Sequence, residues 1–539
     1  MNPKKKLVFY LPILFALILI IGIFLGYKLT PVSTYNQKLF NLNLNKYDKL
    51  KDVVNYVVQE YVDSVNKNEI AEDGIVGILK SLDPHSQYIT AEEFHDVNDP
   101  LLGNFEGIGI QFRIEKDTIA VIHTISGGPS EKVGLMPGDR IVKVGDSLIA
   151  GVKITNKEAM RKLKGERGTK VKVSIYRRGI SDLLDFIIVR DLIPTYCIDI
   201  AYMPSETIGY IKVSKFSATT YDEFLKAAMD LEDQGMQNLI LDLRGNAGGY
   251  LQAAIDMADE FLREDKLIVY TQGKNQPKEL FYATDKGRLE DKSVIILIDE
   301  GSASASEIVA GAIQDNDRGL IVGRRSFGKG LVQRQLDFPD GSALRLTVAR
   351  YYTPTGRCIQ KPYDKENGFE DYYTESYYRF LNGEMEEPDS IHFNDSLKFI
   401  TPGGKIVYGG GGIMPDIYVS VKSDDNSEYF NKLLNKSLIF QFAFNYTDKN
   451  RNCLNKFTSF EDFNKDFYIT DDIFNEFVEF AEKNGVEKDT TGTKKSKEKT
   501  KILLKAFIGR NLLDDKGFYP IYHKTDKTFQ EAMELLKAT

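Results

Sequence analysis

Two short segments carry residue types that could together perform acyl transfer. The first is Gly301-Ser302-Ala303-Ser304-Ala305-Ser306-Glu307, which joins an apolar run to an amphipathic helical pattern. Ser304 is therefore predicted at a helix N-terminus, where unpaired backbone N–H groups and the positive end of the helix dipole could stabilise an oxyanion. Serine also caps helices routinely, so this segment alone fits either role.

A serine nucleophile needs a base, and the candidate is Lys329 in Ser326-Phe327-Gly328-Lys329-Gly330. Burial disfavours an ammonium group and would lower the pKa of this lysine toward neutrality. Gln333 follows four residues later and could hold the amine in position without adding a charge. Taken separately, Lys329 also fits an exposed turn lysine and Gln333 an exposed strand residue.

Two other interpretations of this glycine-rich segment have weaker support. Residues 323–330 nearly match the phosphate-binding loop pattern, but Gly330 stands where a serine or threonine would ligate magnesium. Ser326 and Lys329 also have the S-x-x-K spacing of penicillin-binding proteins. That pairing requires a helix, which Gly328 and Gly330 oppose.

Alternating strand and helix patterns surround both segments. Apolar runs at 208–213, 239–243 and 294–298 predict buried strands, and the second is followed by the glycine turn Gly245-Asn246-Ala247-Gly248-Gly249. Such alternation predicts a buried, largely parallel sheet. Ligands of these sheets gather beyond the carboxyl ends of the strands, which is where Ser304 is expected.

The region before this sheet has a different pattern. Residues 103–191 read as short strands punctuated by glycine, with a hairpin around Lys116-Asp117 and a helix near 156–163. A length of about 90 residues suits one small domain. After residue 420, segments 429–444 and 472–483 read as helices, and the charged stretch 488–500 reads as a solvated linker.

The amino terminus predicts a membrane anchor. Three lysines at positions 4–6 precede an uncharged run over residues 7–26, about the length needed to cross a bilayer. No small-residue cleavage pattern follows, so we expect an uncleaved anchor with the body on the periplasmic or extracytoplasmic side; the alternative is a cleaved signal peptide. An apolar stripe from Val53 to Tyr61 needs a partner surface, either the main body or a second copy in a homodimer.

Composition excludes several other functions. The formal net charge of −8 and the lack of a strongly basic domain argue against nucleic acid as a partner. The three cysteines are far apart and form neither a disulfide framework nor a CxxC pair, and none of the five histidines belongs to an HExxH motif. We therefore expect no metal and no cofactor.

Taken together, six segments in chain order resemble the carboxyl-terminal processing peptidases, or tail-specific proteases, of serine/lysine peptidase family S41. The resemblance extends from about residue 45 to residue 420. The segments are Ser81-Leu82-Asp83-Pro84-His85-Ser86, Leu243-Arg244-Gly245-Asn246-Ala247-Gly248-Gly249, 301–307, 326–330, Thr353-Pro354-Thr355-Gly356-Arg357 and 409–416.

The resemblance implies a serine endopeptidase with a ClpP/crotonase-like α/β core. It implies Ser304 as nucleophile, Lys329 as general base and Gln333 as the supporting residue. Two alternatives are a catalytically silent PDZ-containing adaptor at the membrane and a crotonase-type enzyme acting on acyl thioesters. The intact Ser304, Lys329 and Gln333 disfavour the first, and the PDZ-like unit together with the predicted membrane anchor disfavours the second.

The resemblance also implies the backbone contacts of the substrate. The oxyanion donors would be the N–H groups of Ala305 and of Gly248 or Gly249, in a turn where Ala247 replaces the usual proline. Gly107-Ile108-Gly109-Ile110 resembles the carboxylate-binding loop of a PDZ domain, whose N–H groups receive a chain terminus. The implied partners are protein or peptide substrates with free apolar C-termini, and an activating adaptor protein is a further candidate partner.

We therefore expect a multidomain α/β protein with an inserted PDZ-like β-rich domain and helical flanking segments. The expected units are the anchor at 1–28, a helical segment at 38–97, the PDZ-like domain at 98–192, the peptidase core at 193–420 and a mostly helical C-terminal domain at 421–539, whose role the sequence does not indicate.

Overall fold

The computed structural model describes residues 48–364, 369–391, 394–422 and 426–538. The described residues up to Gly74 and those from Ile75 onward belong to two separate compact units. The predicted anchor at 1–28 and the start of the predicted helical segment lie outside the described residues. Within the described ranges, no helix combines the length and the apolar character needed to cross a membrane.

The N-terminal segment contains the predicted helices. They are α1 (Lys49–Glu60) and α2 (Lys67–Leu79). Asp48 caps α1, because its side chain accepts a hydrogen bond from the Lys51 N–H at 3.3 Å. No residue of α1 is buried, and Val53, Tyr56 and Tyr61 of its apolar stripe are all exposed.

The β-rich domain begins after a short strand and a helix. These are β1 (Gln87–Ile89) and α3 (Phe94–Leu102). The domain is closed at its base by β2 (Asn104–Gly107) and β9 (Asp191–Pro194), which pair antiparallel. The main sheet has the order β3-β4-β5-β7-β8, with β6 paired to β5. Its strands are β3 (Ile110–Ile114), β4 (Ile119–Thr124), β5 (Arg140–Val144), β6 (Ser147–Leu148), β7 (Lys170–Tyr176) and β8 (Leu184–Val189).

Local chemistry explains the two clearest elements of this domain. Lys116 and Asp117 have φ angles of 48° and 58°, as a tight hairpin turn between right-twisted strands requires. The predicted helix is α5 (Asn156–Leu163), which begins with a capping box between Thr155 and Glu158. A single turn, α4 (Pro129–Lys132), lies between β4 and β5. The structure thus confirms the predicted hairpin around Lys116-Asp117 and the predicted helix near 156–163.

The core sheet has six strands in the order β10-β11-β12-β15-β16-β21. They are β10 (Ile198–Tyr202), β11 (Ile208–Val213), β12 (Asn238–Asp242), β15 (Ser293–Ile298), β16 (Leu320–Gly323) and β21 (Ile417–Tyr418). Only the β10–β11 pair is antiparallel. The prediction of a buried, largely parallel sheet is confirmed.

Three helices pack on one face of this sheet, and a second sheet lies beside them. The helices are α6 (Thr220–Asp233), α7 (Leu251–Asp259) and α8 (Ala305–Asp315). The second sheet has the order β1-β18-β13-β14, with β17 paired to β18. Its further strands are β13 (Leu267–Gln272), β14 (Glu279–Tyr282), β17 (Leu331–Asp337) and β18 (Ala343–Tyr352). Next in the chain come α9 (Glu370–Leu381) and the hairpin of β19 (Lys398–Ile400) and β20 (Ile406–Tyr408), with 3-10 turns at Pro388–Ser390 and Asp395–Leu397.

The C-terminal region is helical, as predicted, but the predicted linker at 488–500 is wrong. This stretch lies largely in α15, where Gly492, Ser496 and Thr500 form a buried face of small residues. A Cβ on Gly492 would lie 2.9 Å from the Cβ of Tyr429, so the small face permits close helix contact, and the lysines lie outside it. The helices are α10 (Glu428–Asn435), α11 (Leu438–Lys449), α12 (Arg451–Leu454), α13 (Phe460–Asp466), α14 (Asp471–Lys483), α15 (Thr490–Tyr522, kinked at residues 513–514) and α16 (Lys527–Ala538).

The last helix covers the second face of the core sheet. Phe529 and Met533 of α16 pack with Tyr210, Ile240 and Leu297 on the sheet face opposite α6, α7 and α8. A buried sheet must be covered on both faces. The helices within residues 193–420 cover only one face of this sheet, and α16 covers the other. The C-terminal region therefore contributes directly to the fold of the core.

A buried ion network fixes α16 to the glycine turn. Arg244 contacts Asp242 at 2.6 Å and Asp526 at 2.7 Å, and Asp526 also accepts the N–H groups of Thr528 and Phe529 at the start of α16. Burial opposes the charge of Asp242, but the cations Arg244 and Lys212 hold the pKa of its carboxyl well below its usual value. The Asp242 carboxylate is therefore ionised at neutral pH.

The same helical region also contacts the β-rich domain. Phe444 of α11 packs against Ala120 and Ile122 of β4. The guanidinium of Arg113 lies 4.8 Å from the centre of the Phe444 ring, where a cation–π contact is favourable. Asp448 pairs with Arg140 at 3.5 Å. These contacts place the helical region against the sheet of the β-rich domain.

Asp526→Ala is expected to destabilise the protein by about 3 kcal/mol, because it removes a buried partner of Arg244 and the cap of α16. Urea unfolding followed by tyrosine fluorescence would measure the change. Glu534→Ala, at an exposed position of the same helix, should alter stability by less than about 0.5 kcal/mol. Equal effects of both substitutions would contradict the assigned role of Asp526.

Candidate active site

Two turns that follow neighbouring parallel strands meet at the carboxyl end of the core sheet. The glycine turn follows β12, and the serine-rich turn follows β15. The Asn246 carbonyl accepts hydrogen bonds from the Ala303 N–H and the Ser306 hydroxyl, both at 2.9 Å. The Ser302 hydroxyl donates to the Leu243 carbonyl, also at 2.9 Å. Buried hydrogen bonds of this kind hold the two turns in one register.

Ser304 occupies a constrained position at the start of α8. Its backbone has φ 54° and ψ −111°, which is unfavourable for a residue with a side chain and is typical of functional sites. Gly248 lies against it: a Cβ there would be 2.7 Å from the Ser304 Cβ and 2.8 Å from the Ala305 nitrogen. Only glycine therefore allows this approach of the two turns.

The buried carboxylate of Glu307 joins the serine segment to the lysine segment. Oε2 accepts the N–H groups of Ser304 and Lys329, both at 2.8 Å. Oε1 accepts the Gly328 N–H at 2.7 Å and the Ser326 hydroxyl. Burial raises the pKa of Glu307 above its usual value, and these hydrogen bonds offset only part of that rise. Because all four partners donate, they match the ionised form.

Lys329 lies in a largely buried environment beside Gln333. Its Nζ donates to the Gln333 Oε1 at 3.3 Å. Burial lowers the pKa of Lys329 and the nearby Arg345 lowers it further, whereas Glu307 and Asp83 act in the opposite direction. The net effect lowers the pKa of Lys329, so less energy is needed to form the neutral amine, which is the form that can act as a base.

A tyrosine connects the backbone of the two segments. The Tyr351 hydroxyl contacts the carbonyl oxygens of Lys329 at 2.7 Å and Ser304 at 3.1 Å. Tyr351 is fully buried on β18, so its hydroxyl cannot exchange these contacts for water. It therefore restricts the separation of Ser304 and Lys329.

A cavity of about 600 Å³ brings together the residues predicted for catalysis and for the oxyanion. All six line it: Ser304, Lys329, Gln333, Ala305, Gly248 and Gly249. Arg345 and Tyr351, which sequence reasoning missed, also line its wall.

The three candidate oxyanion donors differ in availability. The Gly248 N–H already donates to the Asn246 Oδ1 at 2.9 Å. In the part of the chain that the structure describes, the N–H groups of Ala305 and Gly249 have no acceptor. Of the predicted donors, these two are therefore free to receive a charged oxygen.

The predicted carboxylate-binding loop lies in the β-rich domain. Gly107, Ile108 and Gly109 are buried and Ile110 is half-buried, with the Phe105 ring next to Gly107. The strand that follows, β3, pairs with β4 along one edge, and no strand among the described residues covers the other edge. An uncovered edge strand is what peptide addition to a sheet requires.

Sequence reasoning missed Glu307 and Tyr351 for different reasons. Ser304 and Glu307 have the S-x-x-E spacing of a capping box, so the role of Glu307 at the helix start could have been found. Tyr351 lies 47 residues after Ser304 and has no local signal. Among the described residues, no group of three or more His, Cys, Asp or Glu side chains could hold a metal ion.

Two regions of the chain match known protein families. Residues 207–367 match the model of peptidase family S41, and residues 107–186 match the model of the PDZ domain. A carboxy-terminal-processing protease of Bartonella bacilliformis is 38% identical over 351 residues, which cover 63% of this chain and 78% of that protein. The chain belongs to peptidase family S41, the carboxy-terminal processing proteases.

This S41 peptidase is also similar to other proteins, at lower identity. The carboxy-terminal processing protease CtpA of Bacillus subtilis is 35% identical over 330 residues, covering 61% of this chain and 70% of the relative. The solved photosystem II D1 C-terminal processing protease has 23% identity and a TM-score of 0.37, covering 69% of this chain and 87% of that chain. Residues 429–514 match a family of unknown function.

Arg345→Met is expected to move the acid limb of the kcat/KM profile of this peptidase to higher pH. Removing the cation takes away one of the effects that lower the pKa of Lys329, so the neutral amine forms only at higher pH. Peptide cleavage measured across pH would test this. Arg334→Met, at an exposed position of β17, should leave the limb in place. A shift to lower pH would contradict the assignment.

Proposed function

We propose that this S41 peptidase cleaves polypeptides with Ser304 as nucleophile and Lys329 as general base. The observation that carries the proposal is the shared cavity, in which a serine at a helix N-terminus and a largely buried lysine with a lowered pKa lie together. Gln333 accepts a hydrogen bond from the amine without adding charge.

The proposed mechanism uses groups of this chain alone. Neutral Lys329 accepts the hydroxyl proton of Ser304 as Oγ attacks the scissile carbonyl, and the N–H groups of Ala305 and Gly249 stabilise the oxyanion. The Lys329 ammonium then gives its proton to the leaving amine, so the peptide C–N bond breaks and an ester with Ser304 remains. Lys329 next activates water, which hydrolyses the ester and releases Ser304.

We further propose that the PDZ domain binds the carboxyl end of the substrate at Gly107–Ile110. The uncovered edge of β3 supports this, because an extended peptide could add to it as a further strand. Phe112 and Ile114 of β3 pack against the core of the PDZ domain but stay half-buried, and the exposed part of each side chain provides apolar surface for an apolar chain end. The substrate would thus be held by its terminus and cleaved at a preceding bond.

Ser304→Ala is expected to lower cleavage of an unfolded reporter by about 10⁴-fold or more, because the covalent route is lost. The assay uses the full chain in detergent with EDTA present, and Ser147→Ala, at an exposed position of the PDZ domain, serves as the matched control. Cleavage by Ser304→Ala at the wild-type rate would refute the nucleophile and direct attention to Ser302, Ser306 and Ser326.

The same reporter with an amidated carboxyl end is expected to be cleaved more slowly, mainly through a higher KM. An amide lacks the negative charge that the carboxylate-binding loop would receive. Competition by a short peptide with a free apolar terminus should slow cleavage of the unmodified reporter. Equal rates for the two reporters and no competition would argue against tail recognition while leaving the Ser304 mechanism intact.

We propose that residues 1–28 anchor the peptidase in a membrane, with the catalytic body on the periplasmic or extracytoplasmic side. The lysines at 4–6 and the uncharged run at 7–26 support this. The exposed apolar stripe of α1 suits pairing with a second copy. Fractionation should find the full-length chain in membranes and a chain starting at residue 29 in the soluble fraction. Equal distribution of both would contradict the anchor.

A further inference from the structure

The proposed mechanism leaves one conspicuous motif without a role, the turn Ser81-Leu82-Asp83-Pro84-His85-Ser86. This turn links α2 to β1 and belongs to the larger compact unit. β1 pairs with β18, and β18 also pairs with β17, the strand that carries Gln333. The fold therefore brings the turn next to the supporting glutamine, although about 250 residues separate them in the chain.

Asp83 determines the conformation of this turn. Its Oδ1 accepts the N–H groups of His85 and Ser86, both at 2.9 Å, and the Thr347 hydroxyl at 3.0 Å. Its Oδ2 accepts the Ser86 hydroxyl at 2.6 Å. Asp83 is only 6% exposed, so all four bonds are protected from water. An aspartate that accepts from the second and third N–H groups after it fixes a tight turn.

The turn directs one backbone carbonyl at the active site. The His85 carbonyl oxygen accepts a hydrogen bond from the Gln333 Nε2 at 2.6 Å. A carbonyl can only accept, so the amide nitrogen of Gln333 must face it. The amide oxygen is then left to face Lys329, whose Nζ lies 3.3 Å away.

This orientation matters for a neutral lysine. The amine has a single lone pair, which must be free to take the proton of Ser304. An amide oxygen accepts an N–H of the amine and leaves the lone pair free, whereas a reversed amide would donate to the lone pair and block it. The orientation of Gln333 therefore decides whether Lys329 can act as a base.

Helix α9 holds the turn from the other side. The Tyr372 hydroxyl lies 2.7 Å from the His85 Nε2, and the Tyr373 hydroxyl donates to the Pro84 carbonyl at 2.6 Å. Burial lowers the pKa of His85 to about 4, and the nearby Lys329 acts in the same direction. The imidazole is therefore neutral at physiological pH and adds no charge beside the base.

We propose that the Ser81–Ser86 turn is a positioning element of the active site, in which Asp83 fixes the His85 carbonyl so that it orients the Gln333 amide with its oxygen toward Lys329. Asp83 is a positioning residue, since it touches neither the substrate cavity nor the reacting atoms. The inference deepens the proposed function and rests on the Ser304–Lys329 mechanism.

Asp83→Asn in the full chain tests this inference. Its amide would turn a donor toward groups that already donate, so the turn and the Gln333 amide lose their fixed orientation. We expect kcat to fall roughly 10–100-fold while KM stays within about twofold, because the substrate cavity keeps its lining. Asp230→Asn, at an exposed position of α6, is the matched control and should leave both constants unchanged.

The pH profile separates positioning from a general loss of structure. The charged groups acting on Lys329 are Arg345 of β18, Glu307 of α8 and Asp83, and of these Asp83 and Glu307 raise its pKa. Loss of the Asp83 charge should therefore move the acid limb of kcat/KM to lower pH, opposite to Arg345→Met. A purely structural defect would reduce the folded fraction, measured by circular dichroism, without moving the limb.

Thr347→Val provides a milder variant in case Asp83→Asn does not fold. It deletes one of the four hydrogen bonds and keeps the charge, so kcat should fall about threefold at unchanged KM. The inference would be overturned if folded Asp83→Asn had the kcat and the pH profile of the wild type. If Asp83→Asn does not fold, a wild-type kcat in Thr347→Val would overturn it. If Ser304→Ala is inactive in the same assay, that result removes the positioning role alone; if Ser304→Ala is active, the proposed mechanism itself has failed.

Discussion

The buried carboxylate of Glu307 is the constraint on which the arrangement of the site depends. Removing an ionised carboxylate from water costs several kcal/mol unless hydrogen bonds satisfy its lone pairs. Here four donors do so, and all come from the segments that carry Ser304 and Lys329. Neither segment can move away without leaving the charge unsatisfied, which costs much more than an ordinary hydrogen bond. The strained backbone of Ser304 is held by the same contacts.

Two further buried carboxylates act in the same way at the edges of the site. Asp83 holds the turn that contacts Gln333, and Asp526 holds Arg244 at the start of the glycine turn. Each joins segments that are distant in the chain, because the sheet topology places loop ends together but does not fix their separation. The parallel strands set the approximate positions of the loops. The buried carboxylates then restrict the movement of these loops relative to one another, as catalysis by precisely placed groups requires.

The sequence predicts those features that depend on local patterns. The turn at Lys116-Asp117 and helix α5 follow from neighbouring residues, and the grouping of Ser304 with Lys329 comes from the family resemblance. Features that depend on tertiary contact were not predictable in this way. The stretch at 488–500 has many charges, but its small residues form one helical face, and counting charges does not separate faces. Likewise, the Gly248 N–H donates a hydrogen bond to the Asn246 side chain, and no sequence pattern indicates this bond.

Alternate side chains of β3 and β4 contact two different partners, the core of the PDZ domain and the helical C-terminal region. Phe112 of β3 and Val121 of β4 face the core of the PDZ domain, while Arg113 and Ala120, one residue away in each strand, face α11. Successive side chains of a strand point to opposite faces, so one sheet can form its own core on one side and contact the helices on the other. Peptide addition to β3 would use the edge of the strand, which is a third and separate surface. Because α16 of the same region also covers the core sheet, the helical region contacts both the PDZ domain and the peptidase core.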